Sequence, residues 1–301
     1  NRSTMGDSKI KALHYFIRES NVGELKFVLE DIGSILGNKD FLQDAEIVEA
    51  LRGYYESHLS HHELPNGTQV VVTTHGRREP ENHKAAEGEG EEEQSPSANP
   101  AEFVYVDAAK NVKFSLDVTT GECKVLDDAC KEADSDSQAF KEKLVESLDK
   151  YISERFKPGT TFGTLSVTGE NPWTVHIDIS CHNLNHKNFW GGEWLSRWTV
   201  THTAGSSDFE LTGNIKISNH YFEQGNIQFK LDKAFDTPVK GTAADGDVAQ
   251  SVFAQISKLE EAYQNSLEAM YEDISENHMK NLRRRLPFTG KSFEWGVSKL
   301  V

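Results

Sequence analysis

The chain has 301 residues, 48 acidic against 32 basic, a formal net charge of −16 and three cysteines. That balance excludes a general nucleic-acid binder, which shows a basic footprint, and a membrane protein held by bulk charge. No apolar run approaches the roughly 20 residues that span a bilayer, and the N-terminus lacks a signal-peptide core, so Cys123, Cys130 and Cys181 read as reduced thiols of a cytoplasmic protein.

Asn1–Thr4, ahead of Met5, read as an addition to a native start, and a helical stalk is expected over residues 5–64. Leu13, Phe16 and Ile17 suggest its first helix. Val22, Leu25, Val28, Leu29, Ile32 and Leu36 suggest a second that ends near Gly37. A third runs from about Leu42 through Ile47, Val48, Leu51, Tyr54 and Tyr55. Short helices with tight connections pack as antiparallel neighbours. His58, His61, His62 and His75 form a histidine-rich patch with Glu63. Their spacing matches no zinc pattern, and a polar helix end is the simpler reading.

A small β region is expected over residues 65–135. Gln69 to Thr74 is a β-branched run, and residues 103–106, 112–118 and 123–126 resume short strands, with a hairpin turn at Thr120-Gly121. Between them, residues 79–101 form an acidic, Glu- and Gly-rich insertion that cannot bury apolar surface and reads as a solvated spacer.

Residues 136–246 read as a helix followed by an antiparallel sheet. Phe140, Leu144, Leu148, Tyr151 and Ile152 share one face of a helix over 136–156. Five strand candidates follow, at 161–167, 173–180, 194–202, 209–218 and 221–231. Trp173, Val175, Ile177 and Ile179 alternate cleanly, which marks a sheet with one wetter face. Turns at Gly169-Glu170-Asn171 and Gly205-Ser206-Ser207 favour a meander. Phe189, Trp190, Trp194 and Trp198 read as a packed turn and core strand rather than an aromatic ligand box, with Lys187-Asn188 and Gly191-Gly192 building the turn. Cys181-His182 with His186 lacks the second pair that a metal site needs. An open edge on this sheet invites pairing with another subunit.

From Asp247 to Leu286 there is neither Gly nor Pro. Val252, Ile256, Leu259, Tyr263, Met270, Ile274 and Leu282 recur at mostly three- and four-residue steps, which predicts one helix of on the order of 50 Å. Such a helix outruns the core of one ordinary domain and lies across a wide sheet or against a second chain. Its far end changes sign: over residues 276–301 six Lys and Arg face two carboxylates, a net of +4. Lys280, Arg283 and Arg284 share one helical face, and Phe288, Phe293, Trp295, Val297 and Leu300 follow Pro287. This reads either as a docking element for an acidic partner with an apolar groove or as cations that complement the helix dipole. No phosphate-binding loop, nucleophile elbow, calcium loop or other catalytic constellation is present, and no cofactor is expected.

Three stretches carry a family resemblance. Leu282-Arg283-Arg284-Arg285-Leu286-Pro287-Phe288-Thr289, then Glu294-Trp295, resembles the C-terminal signature of the F-actin-capping protein alpha subunit. Lys187-Asn188-Phe189-Trp190-Gly191-Gly192-Glu193-Trp194-Leu195-Ser196-Arg197-Trp198 is similar to a second family motif, and His220-Tyr221-Phe222-Glu223-Gln224-Gly225-Asn226-Ile227-Gln228 to a third. Their order and spacing agree with the family, and the resemblance covers most of the chain, weakly before about Gly159. Two departures stand out. Gly290, with Lys291 after it, replaces the family's Arg, and the chain stops soon after Trp295, where relatives continue.

The resemblance implies an α+β fold: an N-terminal helical stalk, a small β region, a five-stranded antiparallel sheet covered by one long C-terminal helix (247–286), then a short basic and aromatic tail (287–301). It implies capping of the barbed end of actin filaments, without turnover or cofactor, by a dimer with a beta subunit or a second alpha-type chain. Two sheets would join into one, with two long antiparallel helices across it. Lys280, Arg283, Arg284, Arg285, Lys291, Phe293, Trp295, Val297 and Leu300 would bind actin. Val252, Ile256, Leu259, Tyr263, Met270 and Ile274 would form the dimer interface. The same Arg cluster would suit phosphoinositide headgroups or an anionic membrane, and the same surface would suit an actin-related, dynactin-like assembly.

Overall fold

The computed structural model describes residues 7–78, 99–126, 135–156, 159–169, 171–223, 226–243, 247–274 and 276. Helix α1 (Asp7–Arg18) buries Ile10, Leu13 and Ile17. Phe16, expected on that face, is 53% exposed. At 100° per residue it sits about 90° around the helix from the mean direction of the other three. Helix α2 (Leu25–Leu36) ends on Gly37, whose φ of 75° supplies the left-handed cap. Helix α3 (Ala45–Ser57) starts where the Asp44 side chain accepts from the Glu46 amide. A short 3-10 turn, Asp40–Gln43, precedes it, so the helix begins later than Leu42.

The chain then turns into strands earlier than its sequence suggests. His61–Glu63 (β1) pairs with Gln69–Val71 (β2), so His61 and His62 lie in a strand and not at a helix end. Arg77–Arg78 (β3), Glu102–Asp107 (β4), Val112–Asp117 (β5) and Cys123–Leu126 (β6) form a four-stranded antiparallel sheet. Its Tyr105, Phe114 and Leu116 share one apolar core with Ile17, Ile47 and Leu51 of the helices. Stalk and small sheet thus exclude water together.

The large sheet is a meander: β7 (Thr160–Thr168), β8 (Trp173–Asn185), β9 (Trp190–His202), β10 (Asp208–Tyr221) and β11 (Ile227–Thr242), in that spatial order. The fifth strand differs from its expected 221–231. Tyr221 closes β10, and β11 continues past Pro238 to Thr242. An edge strand needs ladder hydrogen bonds on one side only. The pairing also jumps from Leu211↔Val239 to Gly213↔Phe235, which leaves Pro238 in a bulge where its missing N–H costs nothing.

Register sorts the two faces. Rows such as Leu165–Ile177–Trp198 and Val175–Val200–Leu211 form a buried apolar face. Helix α4 (Ser135–Arg155) packs on its β7 side, with Leu144, Leu148 and Tyr151 buried and Phe140 stacked on Trp173 at 5.1 Å. The opposite rows, Thr164–Asp178–Arg197 and His182–Glu193–Ser218, are polar. Helix α5 (Val248–Asp273) realises the first part of the helix expected over 247–286. Residues 277–286 lie outside the described residues, as do residues 79–98 of the insertion expected over 79–101, whose last residue, Ala101, is buried in the core and not solvated.

Two glycines make room on the apolar face, with different tolerance. A Cβ on Gly213 would sit 2.4 Å from the Arg197 carbonyl oxygen and 2.5 Å from the Trp198 ring, neither free to move within the ladder. A Cβ on Gly163 would meet the Ile152 Cδ1 at 2.5 Å, the end of a flexible side chain. Gly213→Ala should therefore lower stability by about 2–3 kcal/mol and Gly163→Ala by about 1 kcal/mol or less, read by urea unfolding. Equal losses would contradict this reading of the sheet.

Candidate functional site

The expected actin-binding positions, Lys280, Arg283, Arg284, Arg285, Lys291, Phe293, Trp295, Val297 and Leu300, lie outside the described residues. On α5, Val252 and Ile256 are fully buried within the chain, while Leu259, Tyr263, Met270 and Ile274 are half-buried. On β11, the outermost strand of its sheet, most side chains are exposed, with Ile227 at 64%.

The described part of the chain brings the two internal motifs together. His186–Asn188 makes a single 3-10 turn, capped by the Asn185 side chain accepting from the Asn188 amide. Phe189 adopts φ 57°, and Trp190 opens β9. Trp190 and Gly191 then pair with Tyr221 and His220 of the third motif, and Gly192 with Asn219 just before it. A Cβ on Gly192 would come within 2.8 Å of the side-chain oxygen of the exposed Asn219, which can turn aside. The Phe222 amide donates to the Phe189 carbonyl at 2.9 Å, and the two rings meet edge to face at 5.8 Å. Trp198 is buried and Trp194 half-buried on one side of β9, as alternation requires.

From this end of the sheet, polar side chains reach the stalk. His220 Nδ1 lies 2.7 Å from Glu24 Oε1 and 3.0 Å from the Asn21 side-chain nitrogen, and its Nε2 lies 3.1 Å from Asn226. Lys230 donates to Glu19 at 2.9 Å. His58, the C-cap of α3, sits 2.9 Å from the buried Glu193. Arg197 donates to the carbonyls of Glu56 at 2.9 Å and Ser57 at 2.6 Å, closing the end of α3, and its Nε lies 3.6 Å from Asp178. Burial pushes the Asp178 carboxyl up, and Arg197 opposes that shift. Asp107 is 1% exposed and accepts from the Val71 amide at 3.1 Å, the Thr164 hydroxyl at 2.6 Å and the Lys110 amide at 3.2 Å. Burial also pushes its carboxyl up, against those three donors.

Histidines line the same seam. His61 stacks between Phe162 at 4.2 Å and His182 at 4.9 Å, and His75 lies on His176 at 3.6 Å with 5° between the planes. The sequence shows the histidine patch of residues 58–75 but not its partners, which come from strands more than 100 residues later. Among the described residues no three His, Cys, Asp or Glu side chains gather in a metal-holding group.

Fold and seam define the class: an α+β subunit with an exposed edge strand, whose buried polar groups join a helical stalk to a sheet. Comparison with known proteins agrees. A profile of the F-actin capping protein alpha subunit matches residues 13–300. The F-actin-capping protein subunit alpha of Chaetomium thermophilum is 26% identical over 283 residues, covering 94% of this chain and 90% of that one. The subunit alpha of Arabidopsis thaliana is 25% identical over 296 residues, covering 96% and 89%. The homodimeric actin capping protein alpha subunit from Plasmodium berghei superposes with a TM-score of 0.67 at 18% identity, covering 94% of this chain and 99% of that one, which shows a shared fold. The chain belongs to the F-actin capping protein alpha subunit family, a family of structural, actin-binding proteins of the cytoskeleton.

Arg197 is the seam residue with the most to lose. Arg197→Met would strand the α3 carbonyls and leave the buried Asp178 without its cation, a loss of about 3 kcal/mol. Asp178→Asn in the same chain should recover part of it, because no buried charge is then left unpaired. Thermal or urea melts of the two single variants and the double variant read the coupling, and simple additivity would refute the pairing.

Proposed function

We propose that this chain caps the barbed end of actin filaments as one subunit of a dimer, blocking addition and loss of actin subunits. The observation that carries this reading is the reach of the family match to residue 300, which takes in the basic and aromatic C-terminal segment. Lys280, Arg283, Arg284, Arg285 and Lys291 form a cationic cluster within a chain of net charge −16. They would steer the subunit to an acidic filament-end surface and make charge-assisted hydrogen bonds there. Phe293, Trp295, Val297 and Leu300 would then dock in an apolar groove and slow dissociation. Capping in this reading is binding without turnover, in the cytoplasm, and calls for no cofactor.

The dimer would form through the exposed β11 edge, which offers unpaired backbone groups to another sheet, and through the half-buried part of the α5 stripe, Leu259, Tyr263, Met270 and Ile274. The preferred partner is a beta subunit, in keeping with relatives named as alpha subunits. A second copy of this chain is the alternative, favoured by the homodimeric Plasmodium berghei alpha subunit.

Growth of actin from preformed seeds tests this directly, with the chain alone and with a beta subunit. Arrest only by the pair supports the heterodimer, and arrest by the chain alone supports the homodimer. Replacing Arg283, Arg284 and Arg285 with Glu should weaken capping by at least a hundredfold with the melting temperature unchanged. Undiminished capping by that variant would sink the proposed contact. Binding to phosphoinositide vesicles without any effect on seeded growth would favour a membrane role for the same cations.

A further inference from the structure

The seam between stalk and sheet holds two kinds of histidine contact. His58 with Glu193 and His220 with Glu24 are imidazole–carboxylate pairs at 2.9 and 2.7 Å, which become ion pairs when the ring is protonated. They tie the end of α3 and the start of α2 to the sheet. His61 with His182 and His75 with His176 are ring stacks, which tie β1 and the turn before β3 to β8. Two imidazolium rings cannot share such a stack without like-charge repulsion at short range.

We propose that this seam is an acid-sensitive latch: protonation of the stacked histidines loosens β1 and the turn before β3 from β8, while α2 and α3 stay held to the sheet through His220 with Glu24 and His58 with Glu193. The groups facing each stack set the response. His61 faces Phe162 and His182, with His62 beside it, and His182 also feels Glu193. His176 faces His75 and, at 3.3 Å, the Thr199 hydroxyl. The carboxylate acting on His75 is Asp178, which Arg197 already engages at 3.6 Å. Burial pushes Asp178 up, while Arg197 and then His75 hold it down. Burial first, then the neighbouring histidines, hold His61 down at about 4, and burial and then His75 hold His176 at about 4. Burial also lowers His62, against a backbone hydrogen bond with Gly121, and His182, against Glu193.

The sign follows. An opened seam returns these rings to water, where histidine titrates near 6.5, so the open state binds more protons between about pH 6.5 and pH 4. The latch is at full strength above pH 6.5 and weakens as pH falls. Because the rings are only about half buried, the linkage is discounted to about a tenfold gain in opening at pH 5 over pH 7.5.

Hydrogen exchange of the full chain, corrected for the intrinsic pH dependence of exchange, tests the latch. Amides of residues 61–78 should lose protection about tenfold between pH 7.5 and pH 5, and those of α2 and α3 less than threefold. The variant His61→Phe/His75→Phe keeps flat rings in both stacks and removes one titrating partner from each. His61→Gln/His75→Gln does the same without an aromatic ring, should the first pack poorly. In a variant that matches the parent chain's protection at pH 7.5, the acid-induced loss should shrink to threefold or less. An equal loss in parent and variants, a loss spread evenly over α2 and α3, or no loss at all would overturn the proposal.

Discussion

A sheet with one polar face can be buried on both sides only if each hidden polar group finds a partner, and that constraint organises this molecule. An unpartnered buried carboxylate costs several kcal/mol, comparable to much of a domain's net stability. Asp107 meets it by accepting from Val71, Thr164 and Lys110, which fastens β2 and β7 to the end of β4 with one carboxylate. Arg197 meets it by filling two helix-end carbonyls while balancing Asp178. Such pairs add little net stability compared with apolar packing, but they dictate register. A stalk shifted by one turn would take the Glu56 and Ser57 carbonyls away from Arg197.

The apolar face obeys a different rule. Trp198, Ile177 and Leu165 lie in one row across neighbouring strands, and the row runs on through Gly213, which leaves space for the Trp198 ring to meet Phe235 at 5.2 Å. Close packing there is set by shape alone, which is why glycine and tryptophan face each other. The division of labour explains the family motifs. Among the described residues of 187–198 and 220–228, aromatic rings and glycines shape one end of the sheet, and Glu193, Arg197 and His220 carry it to the stalk.

Much of the fold was legible because periodicity reports burial. The alternation of Trp173, Val175, Ile177 and Ile179 marked a core strand, and Gly37 marked a helix end. The misses share a cause as well. β1 carries two histidines and a glutamate, with no apolar alternation, and becomes a strand through its pairing with β2 and its rings' stacking on β8. β11 runs through Pro238, a residue that argues against a strand until it is known to be an edge.

The sequence by itself determined the element types, the meander, the apolar faces of the helices and, through three motifs in register, the family. These are properties of neighbours along the chain, where a repeat of 2 or 3.6 residues writes burial into local order. Which polar groups meet was decided only by the tertiary structure. His58 finds Glu193 across 135 residues and Asn21 finds His220 across 199, and no local pattern specifies such a partner. A histidine reads the same in sequence whether it will face a carboxylate or another ring, and only the packed seam assigns the difference.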